Sequence, residues 1–173
     1  SSEVFHNLKS ILNTKNMSTS VGDEGGFSPD LKSEEEALKL ICDAIRKSGY
    51  KLKKDFCIAL DVAASEFYKN GKYKLISENK PFSTEQFIEY LRNLINKYPI
   101  VSIEDPFDED DWDSWSKLVE LVGDKVQIVG DDLFTTNLER LKKGVQNNSA
   151  NAILIKLNQI GTLTETIECI NYA

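Results

Sequence analysis

The stretch Ile100-Val101-Ser102-Ile103-Glu104 is a short, mostly apolar run that ends in one acid. Three further runs of similar composition occupy positions 56–60, 126–129 and 152–155. Runs of this length, rich in β-branched residues and leucine, are typical of strands that are buried on both faces of a parallel sheet. The sequence therefore predicts four parallel strands.

Around and between these runs, apolar residues recur with helical spacing. The predicted helices span positions 4–12, 34–48, 83–97, 111–122, 137–145 and 161 onward. Alternating strands and helices imply βαβ units, and so an α/β fold. Such a fold is built either as an open doubly wound sheet or as a closed barrel.

Local signals refine this prediction. Ser33 followed by Glu36, and Ser83 followed by Gln86, both have the spacing of a capping box at a helix start. Asn70-Gly71 lies between two short aromatic segments, which predicts an inserted β-hairpin with a type I′ turn. The polar, glycine-rich stretch 14–29 predicts a loop.

The size of the chain limits the architecture. A complete eight-stranded barrel needs about 250 residues, so the 173 residues here leave room for roughly half of one. The sequence begins at Ser1, without Met, and ends at Ala173 within an apolar helical pattern. We therefore expect a piece of a larger protein.

Composition excludes several classes of protein. Hydrophobic residues make up 40% of the chain and charged residues 28%, which argues against disordered, collagen-like and membrane-spanning proteins. The net charge of −7 argues against nucleic-acid partners and is compatible with a cation site. Three separated cysteines and one histidine argue against a disulfide framework and against zinc bound by thiolates or imidazoles. A reducing compartment is the default expectation.

Each predicted strand is followed by a charged residue, directly or, in the third strand, after Gly130; these residues are Asp61, Glu104, Asp131 and Lys156. The carboxyl ends of parallel strands meet at one mouth, where α/β enzymes build their active sites. Two plainer explanations stay open, namely chance and charged groups that cap the helix after each strand. We favour the functional explanation because all four strand ends share the pattern.

The residue types indicate the chemistry. Three carboxylates without histidine or cysteine suit a hard cation, with Mg²⁺ as first choice and Mn²⁺ as second. A lysine beside a dication is expected to have a lowered pKa, and its neutral amine can then act as a general base. Asp23 and Glu24 lie among three glycines in residues 22–26, a segment that allows close approach to a ligand or forms a plain surface turn.

Five blocks of the sequence resemble the enolase family and occur in the family's order. They are Gly22-Asp23-Glu24-Gly25-Gly26, Leu60-Asp61-Val62-Ala63-Ala64-Ser65-Glu66, Ser102-Ile103-Glu104-Asp105-Pro106-Phe107, Gly130-Asp131-Asp132-Leu133 and Ile155-Lys156-Leu157-Asn158-Gln159-Ile160-Gly161. The resemblance covers essentially the whole chain. It implies a fragment of an enolase-type TIM-like (β/α) barrel, with parallel strands and one inserted β-hairpin.

The resemblance also implies an activity, the reversible dehydration of 2-phosphoglycerate to phosphoenolpyruvate in glycolysis by a Mg²⁺-dependent hydro-lyase. Asp61, Glu104 and Asp131 match the family's Mg²⁺ ligands, and Glu104 and Asp131 are also expected to contact the substrate. Lys156 matches the base that removes the proton next to the substrate carboxylate, giving an enediolate that Mg²⁺ stabilises, as is known for this family. Glu24 matches the acid that helps the 3-hydroxyl leave.

The remaining expectations concern the parts of an enolase that these residues do not match. Residues 1–173 are expected to be a partial barrel domain that lacks the N-terminal capping domain and the last barrel units, and to be weakly active or inactive alone. The parent is expected to be a cytoplasmic homo-oligomer that acts on a small phosphorylated acid, without nucleic-acid partners or a membrane span. Two alternatives remain, another acid dehydratase or racemase of the enolase superfamily and a non-catalytic protein-binding fragment. The block at residues 22–26 argues against the former.

Overall fold

The computed structural model describes residues 1–75, 77–78 and 80–173. The chain divides into two compact units. The helical unit comprises Ser1–Cys57 and the described residues within Ile76–Asn79, and the sheet unit comprises Ile58–Leu75 and Lys80–Ala173. Each unit is described by itself.

The helical unit contains α1 (Ser2–Thr14) and α2 (Glu34–Lys47), which pack on each other. Buried residues on the two helices, among them Leu12 and Ile45, form its core. The two helices predicted here from the spacing of apolar residues are thereby confirmed. In the predicted loop, the Gly25 N–H donates to the Gly22 carbonyl at 3.0 Å, and residues 21 and 27 form an isolated antiparallel bridge.

The cap of α2 corrects one prediction. The Ser33 hydroxyl accepts a hydrogen bond from the Glu36 N–H at 3.2 Å, as a capping residue should. The Glu36 carboxylate, however, accepts from the Lys32 N–H at 2.9 Å instead of turning back to Ser33. The capping box predicted here is therefore only half formed, whereas the box of Ser83 and Gln86 is complete.

The sheet unit alternates strands and helices. Its elements are β1 (Ile58–Asp61), a 3₁₀ turn (Ala64–Phe67), β2 (Tyr68–Lys69), β3 (Lys72–Tyr73), α3 (Thr84–Lys97), β4 (Ile100–Glu104), α4 (Trp112–Val122), β5 (Gln127–Gly130), α5 (Leu138–Asn147), β6 (Ala152–Ile153), α6 (Leu157–Ile160) and α7 (Leu163–Tyr172). Across the described part of the unit, four strands form a parallel sheet in the order β1-β4-β5-β6. The α/β fold with four parallel strands is confirmed, and the 3₁₀ turn and the short α6 were not predicted.

Both faces of the sheet carry exposed residues, which corrects the expectation of strands buried on both sides. Ile103 and Ile128 are register partners and are fully buried, but Val101, on the same face as Ile103, is 45% exposed. Ala59 and Gln127, on the other face, are also exposed. A short apolar run predicts a strand, but it does not show how much of each face other elements cover.

The inserted hairpin joins β2 and β3 and is confirmed. Asn70 and Gly71 both have positive φ, 53° and 75°, as a type I′ turn requires. The Tyr73 ring stacks on Phe87 of α3 with centroids 4.7 Å apart. Its hydroxyl donates to the Asp111 carboxylate at 2.7 Å and accepts from the Asp108 N–H at 3.1 Å. The hairpin is thereby fixed to the start of α4.

The segment after β5 is packed tightly around one aromatic ring. Phe134 is buried against Gly130 at the end of β5 and Gly144 on α5. A Cβ atom at Gly144 would lie 2.3 Å from Phe134 Cε1, and one at Gly130 would lie 2.6 Å from Cδ2. The two glycines therefore leave the space that the ring occupies. Within the described residues, none of the helices has both the length and the apolar character that a membrane crossing needs.

We expect Gly144→Ala to destabilise the protein although alanine is the better helix former. Crowding of a buried ring costs about 1–3 kcal/mol, which exceeds or equals the roughly 1 kcal/mol gained in helix propensity. Chemical denaturation would measure the change. Adding Phe134→Leu should restore part of the loss, whereas a single variant more stable than the parent chain would contradict the packing argument.

Candidate active site at the strand ends

The structure brings the four predicted strand-end residues to the same edge of the sheet. Asp61 and Glu104 are the last residues of β1 and β4 and are register partners. Asp131 directly follows β5, and Lys156 is the residue before α6, shortly after β6. All four lie in the sheet unit.

The carboxylates form two overlapping groups. Oxygen atoms of Asp61, Glu104 and Asp105 lie within 4.8 Å of one another. Oxygen atoms of Asp105, Asp131 and Asp132 meet the same limit. Asp105 belongs to both groups and so connects the ends of β1, β4 and β5.

Asp105 is a structural centre of this site. Its side chain is 4% exposed, and its backbone is left-handed, with φ 42°. Its carboxylate accepts hydrogen bonds from the Asp131 N–H at 3.0 Å and from the Asp132 N–H at 2.9 Å. Its own N–H donates to the Val129 carbonyl at 3.0 Å. One residue thus extends the pairing of β4 and β5 into the loop that carries Asp131.

The pattern of one charged residue after each strand does not point to Asp105, which follows Glu104. A signal was present, since aspartate is one of the few residues that tolerate a left-handed backbone and its carboxylate can accept two N–H groups. That signal identifies a turn residue, but it does not indicate which N–H groups the carboxylate meets.

We expect Asp105→Asn to lower the free energy of unfolding by about 1–3 kcal/mol, because one backbone N–H then faces a buried amide donor. Asparagine keeps the tolerance for positive φ, so the substitution isolates the lost acceptor. Thermal and urea denaturation would measure the loss. The matched control is Asp124→Asn on an exposed turn, and equal stability of the two variants would contradict the bridging role of Asp105.

Lys156 contacts an acid directly. Its Nζ donates a hydrogen bond to Asp131 Oδ2. Gln159 Nε2 donates to the other oxygen, Asp131 Oδ1, at 2.7 Å. The hydrogen bond to Asp131, followed by nearby acids such as Glu104, raises the pKa of the Lys156 amine. This direction is opposite to the effect expected beside a dication.

Desolvation and neighbouring negative charges raise the pKa values of the acids. Desolvation, with the charges of Asp61 and Asp131, raises the pKa of Glu104 to about 7. Desolvation raises the pKa of Asp105 to about 6, although the N–H groups of Asp132 and Asp131 oppose this shift. The pKa of Asp61 is also raised, chiefly by desolvation. Because the donors are all carboxylate oxygens with unbalanced negative charge, the residues present fit a hard dication.

We expect the metal-free protein to become less stable as the pH rises. The folded-state pKa of Glu104 is raised, so its stabilising contribution is present below the unfolded value and is lost as pH passes the folded value of about 7. Urea denaturation in EDTA between about pH 5 and pH 8 would measure the slope. Glu104→Gln should flatten it, and the exposed Glu120→Gln should not; equal slopes in all three proteins would contradict the coupling.

Glu24 belongs to the helical unit, where it is an exposed residue of the loop at residues 22–26. The loop is closed by the Gly22 N–H, which donates to the Gly26 carbonyl at 2.9 Å. Phe27, next to the loop, stacks on Phe5 of α1 with centroids 4.4 Å apart. The predicted role of Glu24 as an acid stays a prediction.

Parallel strands with acids and one lysine at their carboxyl ends define an α/β barrel-type protein with an acidic site. A family model described as "Enolase, C-terminal TIM barrel domain" matches residues 1–173. The chain belongs to this family, and its four-stranded parallel sheet is consistent with a fragment of such a barrel. Domains of the enolase superfamily generally bind Mg²⁺, and the acidic groups described above are compatible with that ion.

Proposed function

We propose that this chain carries the metal- and base-bearing part of an enolase, which interconverts 2-phosphoglycerate and phosphoenolpyruvate. The observation that carries the proposal is the placement of the Lys156 amine against Asp131, beside the carboxylates of Asp61 and Glu104 at the ends of parallel strands. Removal of a proton next to a carboxylate needs this combination, a base together with positive charge for the developing anion.

Asp61, Glu104 and Asp131 would hold Mg²⁺. Their oxygens are the ligand type that this ion prefers, and desolvation, with the charges of Asp61 and Asp131, raises the pKa of Glu104 to about 7. When bound, Mg²⁺ supplies positive charge that stabilises negative charge developing on the substrate carboxylate. Glu104 and Asp131 also border the space where that carboxylate would lie in this proposal.

Lys156 would act as the general base. Proton abstraction needs the neutral amine, whereas the contact with Asp131 favours the ammonium form. The amine must therefore leave Asp131, or the charge of Asp131 must be compensated, before Lys156 accepts a proton. Because the side chain is 41% exposed, it has room to move. Glu24 is proposed as the acid that assists departure of the 3-hydroxyl, and the glycolytic role and cytoplasmic location stay predictions.

We expect the chain to bind Mn²⁺, used as a spectroscopic substitute for Mg²⁺, and Asp61→Asn or Glu104→Gln to weaken binding by about tenfold or more. Isothermal titration and the paramagnetic signal of free Mn²⁺ would measure the affinities. The control is Glu120→Gln, an exposed acid on α4. If the wild-type chain binds no Mn²⁺, or if all three variants bind it equally, the proposed metal site is wrong.

The catalytic role of Lys156 can be tested separately from full turnover. A complete barrel has eight parallel strands, and the parallel sheet of the described residues has four. We therefore propose that this chain alone converts 2-phosphoglycerate only weakly. Deuterium uptake from solvent at the substrate carbon next to the carboxylate, followed by NMR, reports the base alone.

We expect this uptake to fall by at least about 100-fold in Lys156→Ala and to be unchanged in Lys142→Ala, which removes a lysine of α5. Uptake from a 2-hydroxy acid but not from 2-phosphoglycerate would instead indicate another dehydratase or racemase of the superfamily. No uptake from any acid, with Mn²⁺ still bound, would favour a non-catalytic binding fragment.

A further inference from the structure

The turn between β5 and α5 has an unusual backbone. Thr135 and Thr136 both have positive φ, 48° and 55°. β-Branched residues avoid this region, and each left-handed residue of this kind costs on the order of 1–3 kcal/mol. Such a conformation persists only where surrounding contacts require it. Two adjacent left-handed threonines in the loop that follows Asp131 must therefore be held by their contacts, and those of Thr136 are the relevant ones.

The Thr136 side chain is fully buried and makes two hydrogen bonds. Its Oγ1 accepts from the Lys156 N–H at 2.8 Å and lies 3.2 Å from Gln159 Oε1, to which it donates. A hydroxyl has one proton, and Oε1 of an amide can only accept. The Asp131 carboxylate can only accept, so Gln159 presents Nε2 to it, and the amide oxygen on the other side is held by the proton of the Thr136 hydroxyl.

The Asp131 carboxylate is consequently held through two different groups. Gln159 Nε2 donates to Oδ1 at 2.7 Å, and Lys156 Nζ donates to Oδ2. In the proposed reaction Lys156 has to give up its contact with Asp131 in order to accept a proton. Gln159 has no such task and can keep its contact throughout.

We propose that Thr136 and Gln159 are positioning residues that fix the orientation of the Asp131 carboxylate independently of Lys156. The hydroxyl holds the amide oxygen of Gln159, and the amide nitrogen holds Asp131 Oδ1. We call the hydrogen bonds from Thr136 to Gln159 and from Gln159 to Asp131 the relay. Its role rests on the proposed function, in which Asp131 binds the cation and Lys156 moves a proton. Its existence rests only on the hydrogen bonds and on the strained turn.

The first experiment measures proton exchange with solvent in the 173-residue chain by NMR, at the Lys156 backbone amide and at the Gln159 side-chain amide. Thr136→Val keeps the shape and removes the hydroxyl, so both rates should rise by about tenfold or more. Thr136→Ser keeps the hydroxyl, so both rates should stay within about twofold. If serine behaves like valine, the hydroxyl is not the cause and the inference is wrong.

A second variant tests independence from the amine and does not disturb the strained turn. In Lys156→Met the Gln159 side-chain amide should exchange within about twofold of the wild-type rate, because its contact with Asp131 remains. A rise as large as in Thr136→Val would mean that Lys156 holds the carboxylate, and would overturn the proposal.

A third measurement connects the relay to the metal. Gln159→Met should weaken Mn²⁺ binding by about tenfold, as loss of a group that orients a ligand does, and Asn158→Ala, in the same turn and exposed, should not. If wild-type and Gln159→Met chains bind Mn²⁺ equally, the relay does not position Asp131 for a cation. If the wild-type chain binds no Mn²⁺, the proposed function fails, and the exchange rates alone still decide whether the relay exists.

Discussion

Parallel pairing of β1, β4, β5 and β6 is the constraint from which the rest of this site follows. Because the strands run in one direction, their carboxyl ends lie at the same edge of the sheet, and the residues that follow adjacent strands are neighbours in space. Asp61 and Glu104 are direct register partners. The backbone hydrogen bonds of the sheet thereby hold together carboxylates that repel one another.

Without a bound metal, the site consequently lowers the free energy of unfolding. Neighbouring backbone groups offset part of this loss. The raised pKa values of Asp61, Glu104 and Asp105 express that cost. Asp105 offsets part of it, because two N–H groups of the loop after β5 donate to its buried carboxylate. The same contacts hold the acids in place, so a cation would find its ligands already arranged.

The contact that Lys156 makes in the structure favours a protonation state other than the one its proposed role requires. The amine gains a charged hydrogen bond from Asp131, which favours the protonated state, whereas a general base needs the neutral one. A protein can resolve such a conflict if the acid is held by something other than the amine. Gln159 contacts the second oxygen of Asp131, and the Thr136 hydroxyl donates to Gln159 Oε1. Two loops that follow adjacent strands therefore cooperate at one carboxylate.

The sequence by itself determined the elements and the strand-end residues. Hydrophobic spacing identified the six longer helices and four strands, Asn70-Gly71 identified the hairpin, and the residue after each apolar run identified Asp61, Glu104, Asp131 and Lys156. These signals are local, since periodicity and turn chemistry are properties of neighbouring residues. The resemblance added Glu24, which spacing alone ranked as a surface turn.

Tertiary structure alone decided the rest. Whether Asp105 accepts from residues 131 and 132, or Thr136 from residue 156, depends on chain segments more than 15 residues apart. The positive φ of two threonines and the exposure of Ala59 and Gln127 likewise depend on packing. The physical reason is that side-chain hydrogen bonds and burial depend on positions in space, which adjacent strands of a sheet fix and sequence spacing does not.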